Sequence, residues 1–379
     1  MFSRTQTFDI IRGAQEYPIV VLLGSRQSGK TLLSQRIFNN YAYVSLKDIE
    51  LRTTATQNPR TFIQANKSKA GIIIDDFHHV PELLSYLQTE GHTHKGEYVL
   101  CGPQMTYTRE LVMKQFEGNV SLHNLLPLSL RELTQNFSLP HNIDTVLYNG
   151  LHPEAYASDT DADVLYRRYL SSYIDTDVRL FGQVDNLTTF HTFLKACAAK
   201  IGQVLNITTL ANEANVSDHT ARRWIALLED HALIFLIKPY PEDFGKRLIK
   251  SPKLYFHDPG IARTLLNINK ELLPKHAMRN ALIETLIMSE LAKRTRNLFF
   301  WKDKTRQLDC LIKEGDTSIP LGIQNAHTFT SDRKYWHKLS QTDHHGYAII
   351  PEKTTLATDQ LSWQYLEPLY NALDASRYS

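Results

Sequence analysis

The chain has 379 residues, with 42 basic against 40 acidic side chains, a formal net charge of +2, 22% charged residues and 42% hydrophobic ones. This is the composition of a folded globular chain with an ample core, and it excludes both wholesale disorder and a chain that is polybasic along its whole length. At about 150 residues per domain the length predicts two or three domains.

No unbroken apolar run approaches the roughly 20 residues a spanning helix requires; one of the longest is Ala232 to Ile237. The first residues, Met1 to Asp9, hold no apolar core segment, so no secretory signal is expected. Three widely spaced cysteines (Cys101, Cys197, Cys310) form neither a zinc pattern nor a disulfide framework. A reducing, cytoplasmic setting is the expectation.

In chain order, Ile19 to Leu23 reads as a buried strand and Thr31 to Phe38 as the helix after it. Tyr41 to Leu46, Gly71 to Asp75 and Tyr98 to Cys101 read as further strands. Strands of continuous rather than alternating apolar character, separated by helical segments, imply a parallel sheet covered on both faces. The expected fold is therefore α/β, a doubly wound domain over residues 1–135. A polar connector, partly helical, is expected from Ser138 to Asp163, and helical spacing returns from Val164 to about Phe193. Thr209 to Trp224 reads as helix, tight turn and second helix, with Ser217 or Asp218 as the cap. Beyond it come a helix from Asn280 to Lys293 and strands at Leu298 to Trp301 and Leu308 to Ile312.

The strongest motif is Gly24-Ser25-Arg26-Gln27-Ser28-Gly29-Lys30-Thr31, a complete G-x-x-x-x-G-K-T between a strand and a helix. Its glycines let successive amide groups curl around phosphates at the positive end of the next helix. Lys30 would reach the β- and γ-phosphates, and the Thr31 hydroxyl would ligate Mg²⁺. Gly71-Ile72-Ile73-Ile74-Asp75-Asp76 matches a Walker B element, with Asp75 holding the magnesium shell and Asp76 in the water-positioning place. At the end of Tyr98-Val99-Leu100-Cys101-Gly102-Pro103-Gln104, the side chain of Gln104 is placed to sense a γ-phosphate.

With these motifs in hand, the chain resembles AAA+-type ATPases that carry a C-terminal DUF4143 domain. VVLLGSRQSGKT, YVSLKD, GIIIDDFHHVPELLSYLQ, YVLCGPQ and LLPLSLREL carry the resemblance in the first half, and RRYLSSYIDTDVR, FGKRLIKSPKLYFHDPGIA and NALIETLIMSELAK in the second. The resemblance implies a P-loop ATPase domain (1–135), a helical connector (136–186), a winged-helix-like segment (187–255) and a region similar to PD-(D/E)XK nucleases (256–379). It implies ATP and Mg²⁺ as cofactors. The chain departs from the family at three places around the nucleotide. The usual aspartate-glutamate pair is Asp75-Asp76, a serine is replaced by Pro103, and an arginine by Asn119.

In the nuclease-like region, Glu284 and Asp309 match family carboxylates, whereas the following strand has Gly322 for glutamate and Gln324 for lysine. Cleavage that needs carboxylate-held Mg²⁺ and a lysine is therefore not expected, and the scaffold reads as a degenerate site. In the helix-turn-helix, Asp218, His219, Thr220, Arg222 and Arg223 are expected on the exposed side, and Val216, Ala221, Trp224 and Leu228 in its small core. Lys246 to Arg306 holds 14 basic and five acidic residues, which makes a DNA-binding face one reading of the C-terminal half. The leading expectation is a slow Mg²⁺-dependent ATPase that couples nucleotide state to a C-terminal binding half. The alternatives are a nucleotide-gated DNA-binding or protein-interaction module without significant turnover and, third, an active nuclease.

Overall fold

The computed structural model describes residues 2–89, 94–137, 140, 142–179, 184, 186–241, 250–302, 306–315, 317–323, 346–351 and 360–376. The chain divides into two compact units, one made of Met1–Phe137, His152–Ser158 and Leu227–Leu233 and the other of Ser138–Leu151, Asp159–Ala226 and Ile234–Ser379. No helix among the described residues is long and apolar enough to cross a membrane.

The first unit is built on a five-stranded parallel sheet in the order β2-β3-β4-β1-β5. Its strands are β1 (Ile19–Gly24), β2 (Ala42–Ser45), β3 (Ile72–Asp75), β4 (Tyr98–Pro103) and β5 (Ser121–Leu125). The helices are α1 (Thr7–Glu16), α2 (Lys30–Ile37), α3 (Ile49–Gln57), α4 (Pro59–Asn66), α5 (Glu82–Thr89), α6 (Thr106–Phe116) and α7 (Leu130–Asn136). Burial on both faces explains why β1 and β3 read as unbroken apolar runs. Ile19, Val21 and Leu23 pack with Ile72, Ile74, Phe62 and Leu83 on one side. Val20 and Leu22 pack with Ile73, Val99, Ile10 and Leu33 on the other. Each such aliphatic chain removed from water contributes about 1.5–3 kcal/mol before entropy is counted.

The sequence reading anticipates four of these strands and misses β5. That strand is buried only at its ends, Ser121 and Leu125, and its middle residues, including His123 and Asn124, are half-exposed. A sheet-edge strand of that kind carries no apolar run to recognise. Parallel pairing brings strand ends together: Gly24 stands opposite Pro103, Asp75 opposite Cys101, and Ser45 opposite Asp75. The carboxyl ends of β1, β2, β3 and β4 therefore share one edge, where ligands of open α/β sheets bind.

In the second unit a seven-stranded mixed sheet runs β12-β11-β10-β9-β8-β6-β7. It is formed by β6 (Ile234–Pro239), β7 (Lys253–Phe256), β8 (Leu298–Lys302), β9 (Gln307–Glu314), β10 (Thr317–Ile323), β11 (Tyr347–Ile350) and β12 (Gln360–Ser362). The helix Arg279–Ala292 is buried at nearly every residue from Leu282 to Leu291. Asp258 is a hub: it caps the helix Pro259–Leu265 through the Gly260 amide at 2.7 Å. The same carboxylate accepts the Tyr166 hydroxyl at 2.7 Å and the Leu151 amide at 2.9 Å. Gly150 is required there, because a Cβ would lie 1.9 Å from the Tyr166 hydroxyl.

The order Leu187–Ala199, Ile207–Ala214, Asp218–Asp230, β6, β7 is three helices followed by an antiparallel strand pair. Asn215 makes the tight turn at φ +53°, and Ser217 Oγ accepts the Thr220 amide, so the cap is Ser217. Ala221, Trp224 and Leu228 are buried and Val216 half-buried, with Trp224 edge-on to Phe190 and Phe193.

Candidate functional site

The site lies at the carboxyl edge of the first sheet and is built outward from β1. Gly24 ends that strand because a Cβ would sit 2.2 Å from the Leu125 carbonyl oxygen. Gly29 closes the loop at φ +92°, a conformation L side chains rarely adopt. Between them Gln27 also takes a positive φ, +57°. The Ser28 amide donates to the Ser25 carbonyl at 3.3 Å, and the Leu33 amide to the Gly29 carbonyl at 2.9 Å as α2 begins. Arg26 is half-buried and Gln27 exposed.

Lys30 Nζ donates to the carbonyls of Gly24 at 3.0 Å and Ser25 at 2.9 Å, so the ammonium arches over the loop. Burial pushes its pKa below the ordinary value, against the opposing pull of Cys101, Asp75 and Asp76. Thr31 Oγ1 donates to Asp75 Oδ2 at 2.5 Å, and the same carboxylate oxygen accepts the Tyr43 hydroxyl at 3.1 Å. Asp75 Oδ1 accepts the Asp76 amide at 3.0 Å.

Asp76 adopts φ +56° as the chain leaves β3. Its Oδ2 accepts the Ser45 hydroxyl at 3.4 Å and lies 3.2 Å from Lys47 Nζ. His78 and His79 follow with ring centroids 4.2 Å apart. Burial and then His79 push His78 down to about 3. Burial and then Arg52 push His79 down as well, so both rings are neutral near pH 7. The Gln104 amide donates to the Gly24 carbonyl at 3.1 Å, tying the end of β4 to the glycine loop. The Gln104 Oε1 is buried with no hydrogen-bond partner among the described residues. Cys101 is no nucleophile: burial and then Asp75 push its thiol up to about 12.

The donor set fits a nucleotide phosphate and a hydrated divalent cation. Ser25 Oγ and Ser28 Oγ are buried without partners in the loop itself. Thr31 and Asp75 bring a hydroxyl and a carboxylate within 2.5 Å of each other, two oxygen ligands of the kind Mg²⁺ takes beside water and phosphate. The sequence-predicted residues Lys30, Thr31, Asp75, Asp76 and Gln104 thus gather at one edge. Tyr43, Ser45 and Lys47 join them, although sequence reasoning assigned them no role. Their only signal was the YVSLKD string ending a strand.

A second omission lies beneath the loop. Arg4 is buried, and its Nη1 donates to the Ser28 carbonyl and its Nη2 to the Leu126 carbonyl, each at 2.7 Å. Its Nε lies 3.0 Å from Glu132, with both side chains almost wholly buried. Glu132 in turn completes a capping box with Ser129 at the start of α7 and accepts both the amide and hydroxyl of Thr5.

The family model described as "AAA domain" matches residues 16–134, the stretch that carries the glycine loop, Asp75 and Gln104. Residues 16–134 are thus similar to AAA domains. Residues 140–272 match a different model, "Domain of unknown function (DUF8612)". That model stands over part of the half in which the sequence resembles DUF4143 proteins. The uncharacterized proteins Mb2031c of Mycobacterium bovis and Rv2008c of Mycobacterium tuberculosis are each 25% identical over 327 residues, covering 84% of this chain and 72% of theirs. Among solved structures, the Walker-type ATPase paby2304 of Pyrococcus abyssi is similar at 13% identity and TM-score 0.47, covering 70% of this chain and 96% of that one. The Bacillus subtilis DNA clamp loader delta protein is similar at 12% identity and TM-score 0.28, covering 59% and 87%.

The nuclease-like carboxylates are engaged within the fold. Glu284 Oε1 accepts Lys253 Nζ at 3.1 Å and the Tyr255 hydroxyl at 2.5 Å. Asp309 accepts the Ile323 amide at 2.8 Å and Gln307 Nε2 at 3.1 Å. Burial and then the Glu284 charge push Asp309 up to about 6. Gln324 lies outside the described residues. Among the described residues no group of three or more His, Cys, Asp or Glu could hold a metal ion. Four of the 14 basic residues of the Lys246 to Arg306 stretch are paired inside the fold. Lys253 pairs with Glu284, Arg263 with Asp163, Arg279 with Asp144 and Lys293 with Glu290.

Proposed function

We propose that the protein binds ATP with Mg²⁺ at the Gly24 to Thr31 loop and hydrolyses it slowly, its nucleotide state acting on the C-terminal half. The observation that carries the reading is the convergence of Lys30, Thr31 and Asp75 at the end of β1 and β3. When phosphates enter, Lys30 trades its contacts with the Gly24 and Ser25 carbonyls for the β- and γ-phosphate oxygens. Thr31 and Asp75 would hold Mg²⁺, which would supply neutralising charge to the phosphoryl group. Asp76 orients the attacking water from its constrained position, and Gln104 faces the γ-phosphate. Asp76 is one methylene shorter than the usual glutamate, which supports slow rather than fast turnover.

Phosphate release from Mg·ATP tests the reading. Wild-type protein should release phosphate slowly, and Asp76→Asn should keep nucleotide binding while losing release. No release from wild-type protein would remove hydrolysis from the account.

A second reading is a nucleotide-gated DNA-binding module. It is favoured by exposed His219, Arg222 and Arg223 on the Ser217-capped second helix. Titration of a labelled duplex with and without Mg·ATP tests it. Binding that weakens in Arg222→Glu/Arg223→Glu supports it, and no binding in either state rejects it.

A further inference from the structure

The segment after β2 presents a cation that the phosphate-loop chemistry does not use. Its backbone is pinned from several directions. The Leu46 amide donates to the Asp75 carbonyl at 2.9 Å, and the Asp48 amide to the Ser45 carbonyl at 3.2 Å. The Lys47 amide donates to Ser45 Oγ at 3.3 Å. Arg52 donates to the carbonyls of Leu46 at 2.9 Å and Lys47 at 3.3 Å. Asp48 caps α3 through the amides of Glu50 and Leu51. On this fixed base stands a long side chain: Lys47 is 72% exposed, yet its ammonium lies 3.2 Å from Asp76 Oδ2, whose side chain is 17% exposed.

Such a half-exposed pair is weak, about 0–1 kcal/mol, because solvent screens it and the lysine chain loses rotamer freedom. It can therefore be exchanged for a stronger partner at little cost. A γ-phosphate held by Lys30 would arrive beside Asp75 and Asp76 and carry more negative charge than one carboxylate. The neighbouring rings of His78 and His79 are held neutral, so they offer no competing cation.

We propose that Lys47 is a γ-phosphate-reading cation supplied in cis, parked on Asp76 and transferred to the terminal phosphate of a bound nucleoside triphosphate. The transfer would release Asp76 to orient water only when a triphosphate is present. This rests on the nucleotide-binding reading above and adds to it the discrimination of triphosphate from diphosphate.

Calorimetric titration of the full chain with Mg·ATP and Mg·ADP tests the inference. Lys47→Met should weaken Mg·ATP binding about tenfold or more, as loss of one charge-assisted hydrogen bond does, and leave Mg·ADP binding within about twofold. Lys47→Arg should restore the ratio of the two affinities to near the wild-type value. An unchanged thermal midpoint checks that the exposed site tolerates the change. Equal weakening for both nucleotides, or no change for either, overturns the role of Lys47 while leaving nucleotide binding intact. Wild-type protein that binds neither nucleotide overturns both readings.

Discussion

Replacing Arg4 by methionine should damage the phosphate loop from below. The guanidinium lies behind the loop on the Ser28 and Leu126 carbonyls and neutralises Glu132, with side-chain exposures of 6% and 3% for the ion pair. Methionine fills much of the same volume but leaves a buried carboxylate without its cation. Breaking one side of a buried pair costs about 3–5 kcal/mol, which for a unit of this size lowers the thermal midpoint by about 10 °C.

The pH dependence carries its own sign. Burial pushes the Glu132 pKa up, but Arg4 and the amides of Ser129 and Thr5 more than reverse this and hold it below the ordinary value. In wild-type protein the depressed pKa contributes stability above the carboxylate range that is lost as pH falls through it. Without Arg4 the burial effect gains weight and favours the neutral acid. The gap between variant and wild type should therefore narrow as pH is lowered. Calorimetric or circular-dichroism melts between pH 7 and pH 4 measure this. A midpoint shift under about 2 °C at pH 7, or a gap that widens in acid, would refute the assignment of Arg4 as the buried counter-charge.

Three further outcomes follow from the geometry. Gly29→Ala places a Cβ where the nearest atoms lie 3.9 Å or farther but forces φ +92° on alanine; it should cost about 1–2 kcal/mol in a melt and weaken Mg·ATP binding in titration. Trp224→Ala removes the ring packed edge-on against Phe190 and Phe193 and should destabilise by about 3–5 kcal/mol in urea unfolding. All three cysteines are buried and unpaired, with Cys101 pushed up to about 12 by burial and then Asp75, so a thiol reagent at pH 8 should label none until denaturant is added.

The phosphate loop was legible because its function demands fixed residue types at fixed spacing between a strand and a helix. The buried strands were legible for a different reason: two-sided burial forces an apolar run, as in Ile72-Ile73-Ile74. β5 failed that test because His123 and Asn124 occupy its half-exposed middle. Arg4 was out of reach, since its meaning depends on Glu132, 128 positions away in the chain and beside it in space. Lys47 lay inside a recognised string, but only the turn that carries it to Asp76 distinguishes it from a surface lysine. The basic stretch was legible only as a sum. Summed charge between Lys246 and Arg306 ignores that Lys253, Arg263, Arg279 and Lys293 are matched by carboxylates within the fold. Formal charge describes a surface only when the charges reach it.

The central claim is that Lys30, Thr31 and Asp75 bind a magnesium-nucleotide complex at the end of β1. Titration of wild-type protein and Lys30→Ala with Mg·ATP, repeated with chelator in place of Mg²⁺, tests it most directly. Saturable, magnesium-dependent binding by wild-type protein that is lost in a folded Lys30→Ala is the predicted result. Wild-type protein that binds no nucleotide, or a Lys30→Ala variant that binds Mg·ATP as tightly as wild type, would contradict it.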